Sequence, residues 1–235
     1  MIGIVLVSHS EALATAARDL ALQMVHGDPP PIRIAAGAAG GFGTDAVAIA
    51  GAIDELADTD GVLVLVDLGS AVLSSSLALE LRESAQPVIV SDGPFVEGTM
   101  AAIVGAAAGS TLAQVAADAS IALRAKQPEA AATPEPAASN PAGSAAGEET
   151  LINPLGIHAR TAALIVRAAA GFDAAIELTN DTEGRGPVSA SSLVGLLSLG
   201  ASGGHRLRIE ARGEDASDAL ASIRQLIRDG LGEVS

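Results

Sequence analysis

The sequence has no cysteine, no tryptophan and no tyrosine, and only 3 phenylalanines among 235 residues. Without cysteine there is no disulfide framework, no thiolate nucleophile and no thiolate metal site, a usage that suits a reducing compartment. With aromatics at 1% and hydrophobic residues at 49%, a core has to be assembled from Ala, Val, Leu and Ile in dense aliphatic contact. Positive charge is also scarce: 13 Lys and Arg face 28 Asp and Glu, a formal net charge of -15. Nucleic acid and anionic membrane surfaces would be repelled, so neither is expected as a partner. The sole lysine is Lys126 and no G-x-x-x-x-G-K-[ST] run occurs, which excludes a P-loop. The start "MIGIVLVSHSE" lacks the basic region of a signal peptide. The Ala-rich stretch "AAIVGAAAGSTLAQVAADASIAL" is interrupted by Ser, Thr, Gln and Asp and does not read as a membrane span. A cytoplasmic protein is expected, with no metal ligand cluster.

What is present falls into two blocks around a tether. Residues 126–148, "KQPEAAATPEPAASNPAGSAAGE", contain no large apolar side chain, and such a segment cannot bury enough surface to offset its ordering entropy. It reads as a flexible linker between domains at 1–125 and 149–235. Residues 1–125 carry 4 basic and 14 acidic residues, residues 126–149 carry 1 and 4, and residues 150–235 carry 8 and 10.

Before the linker, the nearly continuous apolar runs "IGIVLV", "IRIAA", "VLVLV" and "PVIVS" read as parallel strands covered on both faces. Helical patterns near 11–25, 45–57 and 71–83, and two more after Pro94, complete an α/β domain with a doubly wound, mostly parallel sheet. After the linker come a strand, a helix near 159–170, strands "AAIELTN" and "GPVSAS", a short helix near 192–199, strand "HRLRIEA" and a helix from 216 to about 229. That is an α+β domain, an open-faced antiparallel sandwich with helices on one face.

In "NPLGIHARTAALIVRAA", His158 follows a tight loop made by Pro154 and Gly156 and stands at the start of an apolar-periodic helix. Unpaired amides and the positive end of the helix dipole meet it there, with Arg160 close in sequence. That setting would suit a phosphate attached to the imidazole, and equally an ordinary capping histidine. His9 closes the first strand and Asp67 the third. If the strand order is 2-1-3-4 both emerge at the carboxyl edge, where such folds bind ligands. A carboxylate bonded to one ring nitrogen would leave the other free to attack phosphorus, but a strand-end histidine with a helix-capping aspartate fits the spacing too. A rival is the match of Gly41, Gly43 and Ala46 to the dinucleotide fingerprint G-x-G-x-x-A, a weak signal by itself. His26 ends the first helix and His205 opens a strand, where it is expected to be exposed; neither has a partner motif.

"PLGIHARTAA", followed by "SASSLVGLLSLG" and "GEDASDALASIRQLI", resembles the phosphocarrier HPr of the phosphoenolpyruvate-dependent phosphotransferase system (PTS) over residues 150–232. The resemblance implies phosphorylation of His158 by enzyme I, with Arg160 helping to hold the phosphoryl group and Ser192 at the position of the family's regulatory serine. The family usually has Pro after the Arg; here Thr161 lacks the preset φ of Pro. "VSHS", "GTDA", "DLGSA" and "VEGT" resemble the mannose-type IIA domain of the phosphotransferase subunit of PTS-dependent dihydroxyacetone kinase, over residues 1–125. This implies phosphorylation of His9, oriented by Asp67, in a pocket with Ser10, Gly43, Thr44, Ser70 and Thr99.

Taken together, the resemblances imply a phosphotransferase with phosphohistidine intermediates. Phosphate would pass from enzyme I to His158, to His9, and to an ADP-binding kinase subunit that works with a dihydroxyacetone-binding subunit. No cofactor is implied beyond the phosphoryl group of phosphoenolpyruvate. Homodimerisation through the first domain and a separate enzyme I are expected. A PTS regulatory phosphoprotein or a mannose-class sugar-transport component is the alternative.

Overall fold

The computed structural model describes residues 1–25, 27–38, 41–126 and 144–233. The chain divides into two compact units, Met1–Leu123 and Arg124–Ser235.

The first unit runs β1 (Gly3–Ser8), α1 (Glu11–Leu22), β2 (Ile32–Ala36), α2 (Ala46–Asp54), β3 (Val62–Val66), α3 (Gly69–Leu81), β4 (Val88–Val90), α4 (Phe95–Ala107) and α5 (Leu112–Ser120). Its strands form a parallel sheet in the order β2-β1-β3-β4, as the doubly wound reading requires. Strand side chains alternate between two cores. Ile4, Leu6, Leu63 and Leu65 meet Ala14, Ala17 and Ala21 of α1 and Ala102, Ile103 and Ala106 of α4. Val5, Val7, Val62, Val64 and Val66 meet Ile49 and Ile53 of α2 and Ala71 and Ala78 of α3. Small alanine side chains on the helices let them approach the aliphatic strands closely, which suits a core almost without aromatics. The edge strand β4 is shorter than "PVIVS" suggests, and its Ile89 is exposed.

The second unit runs β5 (Ser144–Thr150), α6 (Ala159–Ala169), β6 (Ala174–Asn180), β7 (Arg185–Ser189), α7 (Leu193–Ser198), β8 (Arg206–Gly213) and α8 (Ala216–Arg228). The antiparallel sheet has the order β5-β8-β6-β7. Ile176, Leu178, Leu207, Ile209 and Ala211 are buried, as are Ile165 and Val166 of α6 and Ile223 and Ile227 of α8. Charged residues of β6 and β8 pair with one another: Arg212 lies 3.2 Å from Glu177 and 3.0 Å from Glu210. The apolar/charged alternation is that of a sheet with one covered face.

One boundary differs from the sequence reading. Residues 144–148, placed in the linker for want of large apolar side chains, belong to β5, which pairs with β8 from Ser144↔Arg212 to Thr150↔Arg206. An edge strand can be held by its backbone ladder, and Gly147 leaves room for the Arg224 side chain, which bonds Glu149 at 2.7 Å. The rest of the expected linker, 127–143, and His26 lie outside the described residues. Among the described residues no helix is long and apolar enough to cross a membrane.

Candidate functional site

The β1–β3 register, Val7 opposite Val66, places His9 and Asp67 side by side just past the carboxyl ends of neighbouring strands. Asp67 Oδ1 lies 2.9 Å from His9 Nδ1, while Oδ2 accepts the His9 backbone N–H at 2.8 Å and the Ser8 hydroxyl at 2.9 Å. The Asp67 side chain is only 8% exposed. Burial by itself would raise its pKa, but the His9 N–H, the His9 ring and the Ser8 hydroxyl outweigh it and hold the carboxyl below the ordinary carboxylate value.

An ionised carboxylate only accepts, so the proton on the His9 ring belongs on Nδ1 and the lone pair on Nε2. Nε2 lies 2.9 Å from the Ser70 hydroxyl, which therefore donates to it. Ser70 sits in the first turn of α3, a helix whose N-terminus has no side-chain cap.

Beside this pair is a cavity of about 340 Å³ lined by His9, Ser10, Glu11, Ala36, Gly37, Gly41 and Phe42. Its wall is the loop after β2. The Gly37 N–H donates to Ser8 O and the Gly43 N–H to His9 O, both at 3.0 Å. Gly37 has φ +76° and a Cβ there would lie 2.9 Å from the Gly41 carbonyl oxygen; Gly43 has φ +145°. These glycines serve the loop around His9. They do not build a pyrophosphate site, because the Asp45 carboxylate already accepts the N–H groups of Val47 at 2.9 Å and Ala48 at 3.4 Å at the start of α2. A second anion would be repelled there.

Not every residue expected in the pocket is in it. Ser10 lines the cavity and caps α1, its hydroxyl accepting the Leu13 N–H at 3.3 Å. Thr44 pairs with Ser74 at 2.8 Å and is not among the cavity-lining residues. Thr99 needs correction: it is fully buried on α4, is not among the cavity-lining residues, and its hydroxyl has no partner among the described residues. The apolar faces of α4 draw it into the core. Ser8, Glu11 and Phe42 were not legible as site residues; Ser8 alone carried a signal, as the serine before His9 in "VSHS".

His158 is the N-cap of α6. Its Nε2 lies 2.7 Å from Glu233 Oε1, and Glu233 Oε2 accepts from Asn153 Nδ2 at 3.1 Å. The Asn153 amide, followed by the opposing effect of burial and then the His158 ring and the Arg160 charge, leaves the Glu233 carboxyl below its ordinary value. With Nε2 bonded to a carboxylate, Nδ1 carries the lone pair, on a ring that stands at the N-cap position of α6. Arg160 is exposed and forms no ion pair among the described residues. Thr161 is fully buried: its Oγ1 accepts the His158 backbone N–H at 2.9 Å and lies 3.1 Å from Gly156 O and 3.0 Å from His158 O. Hydrogen bonding thus restrains the turn where the family's usual proline would do so through its ring. No motif pointed to Glu233, and Asn153, which opens the quoted stretch "NPLGIHARTAALIVRAA", was given no role.

Ser192 is the N-cap of α7, accepting the Gly195 N–H at 3.0 Å. His205, expected to be exposed, is half-buried with Nδ1 3.2 Å from Asn180 Nδ2. Among the described residues no group of three or more His, Asp or Glu side chains could hold a metal ion.

Residues 3–116 match the family described as PTS system fructose IIA component, and residues 146–229 the family of the PTS HPr component phosphorylation site. A "PEP-dependent dihydroxyacetone kinase, phosphoryl donor subunit DhaM" from Klebsiella michiganensis is 38% identical over 247 residues, covering 99% of this chain and 51% of the relative. The protein so described from Escherichia coli K12 is 37% identical over 244 residues, with the same shares. A "PEP-dependent dihydroxyacetone kinase 2, phosphoryl donor subunit DhaM" from Listeria innocua is 37% identical over 107 residues, 44% of this chain and 85% of the relative. The chain spans about half the length of the first two relatives.

Proposed function

The chain belongs to the DhaM family of phosphoryl donor subunits, and on that premise we propose that it relays phosphate between two of its own histidines. Enzyme I, charged by phosphoenolpyruvate, phosphorylates His158; the phosphoryl group moves to His9 and then to ADP on a kinase subunit working with a dihydroxyacetone-binding subunit. The observation that carries this reading is that each histidine has one ring nitrogen held by a carboxylate and the other left with a lone pair.

In the inner step the bond from His158 Nδ1 to phosphorus breaks as His9 Nε2 bonds to it, and the electron pair returns to His158. Asp67 keeps the Nδ1 proton of His9 throughout and offsets the charge that develops on the ring. The Ser70 hydroxyl turns from Nε2 to a phosphoryl oxygen, while Arg160 and the α6 amides hold the group on the donor side. Position and charge stabilisation are the protein's whole contribution to such a displacement. The relay uses no cofactor beyond the phosphoryl group itself, and the first unit forms the homodimer.

Incubation with phosphoenolpyruvate and enzyme I should give two acid-labile phosphohistidines, and addition of an ADP-loaded kinase subunit should discharge both. In the His158→Ala variant, His9 should stay unlabelled until a separate phosphocarrier is supplied. Strong labelling of His9 without one would overturn the order, and labelling that an ADP-loaded kinase subunit never discharges would favour a regulatory phosphoprotein.

A further inference from the structure

The His9 cavity has an electrostatic defect for a phosphate site. Its lining includes one carboxylate, Glu11, and no lysine or arginine. Glu11 is exposed at the first position of α1 and makes no ion pair or hydrogen bond among the described residues. The unit Met1–Leu123 has three arginines, and each is engaged elsewhere: Arg18 with Asp19 at 2.8 Å, Arg33 with Glu55 at 2.5 Å, and Arg82 with Gln86 O at 2.7 Å. A dianionic phosphoryl group entering this cavity thus meets the Glu11 carboxylate and no cationic side chain, with only neutral donors such as the Ser70 hydroxyl beside Nε2. An acidic first-turn residue is favourable to its own helix, which would account for Glu11 on structural grounds alone.

We propose that Glu11 is a specificity-determining residue of the His9 site: its carboxylate turns away small free phosphodonor anions and admits a phosphoryl group arriving on a protein surface that carries its own guanidinium. This rests on the reading that His9 accepts phosphate. The second unit displays a surface of that chemistry. Arg160 and Arg167 lie two turns apart and exposed on α6, the helix headed by His158; neither forms a close ion pair among the described residues, although the Arg160 charge is felt at Glu233. Arg206, Arg208, Arg212, Arg224 and Arg228 are tied to carboxylates, and Arg185, without an ion pair among the described residues, is half-buried on β7.

The test uses full-length chains. His9→Ala protein phosphorylated on His158 is the protein donor, His158→Ala protein is the acceptor, and phosphoramidate is the small anionic donor. With phosphoramidate the P–N bond breaks as His9 Nε2 bonds to phosphorus and ammonia leaves. Placing Glu11→Gln in the acceptor should slow transfer from the protein donor about fivefold at low salt and flatten its salt dependence, while labelling by phosphoramidate speeds up about fivefold, the size of one solvent-screened charge interaction. Opposite movement supports the proposal. Equal rates, or both rates moving together as a purely helix-stabilising Glu11 would cause, overturn it. If the acceptor takes phosphate from phosphoramidate but never from the protein donor, the relay reading fails, and an unchanged phosphoramidate rate in Glu11→Gln would then sink the inference about Glu11 separately.

Discussion

The two histidines are held by opposite ring nitrogens. At His9 the carboxylate takes Nδ1 and Nε2 is left to Ser70; at His158 the carboxylate takes Nε2 and Nδ1 is left to the head of α6. The settings differ as much as the atoms. Asp67 comes from the strand next to that of His9, is nearly buried and binds the ring, the backbone N–H and Ser8 together. Glu233 comes from the last turn of the described chain, with its side chain 20% exposed, and is steadied by Asn153. A sheet edge therefore fixes the first imidazole through the fold, whereas the second is fixed by a capping position and a distant side chain.

The largest effect expected from this contrast is on Asp67. Asp67→Asn keeps the shape but can donate to Nδ1, favouring the tautomer with its proton on Nε2; transfer to His9 should fall about a hundredfold or more in single-turnover assays. Glu233→Gln should slow His158 labelling by about tenfold at most, because the α6 amides and Arg160 remain. Equal losses in the two variants would erase the distinction.

A smaller effect is expected at Thr161. Thr161→Val removes the oxygen that accepts the His158 N–H while keeping the shape, and thermal or urea unfolding should register a loss of about 1–2 kcal/mol. An unchanged unfolding midpoint would mean that the hydroxyl does not replace the proline in restraining this turn.

The smallest expected change is with pH. Asp67 and Glu233 both have folded-state values below the ordinary ones, so the stability each contributes is present above the unfolded carboxylate range. It is lost as pH falls through the folded values. Carboxyl NMR titration should place both resonances below the ordinary range, and His9→Ala should move Asp67 upward without moving Glu233.

Much of the His9 site was legible because strand ends are encoded locally, while the strand order entered the sequence reading only as a condition. Four apolar runs set the sheet, the order 2-1-3-4 makes β1 and β3 neighbours, and residues just past their carboxyl ends have to meet. The hydrogen bond from Ser70 to Nε2 needed the helix that starts at Gly69, two residues after Asp67. The His158 site was legible only at its centre. Glu233 is 75 residues away in a turn without a motif, and no periodicity brings it to His158. Thr99 misled because a hydroxyl beside a glycine in "VEGT" reads as a phosphate ligand, whereas its helix is buried on nearly every side. Residues 144–148 misled because composition reports side-chain burial and says nothing of a backbone ladder.

The central claim is that the two stations use different nitrogens, and NMR of the doubly phosphorylated chain, correlating ³¹P with ring ¹⁵N, tests it directly. The account predicts one phosphohistidine bonded through Nε2, lost in His9→Ala, and one bonded through Nδ1, lost in His158→Ala. Phosphorus on the same ring nitrogen in both residues would contradict it.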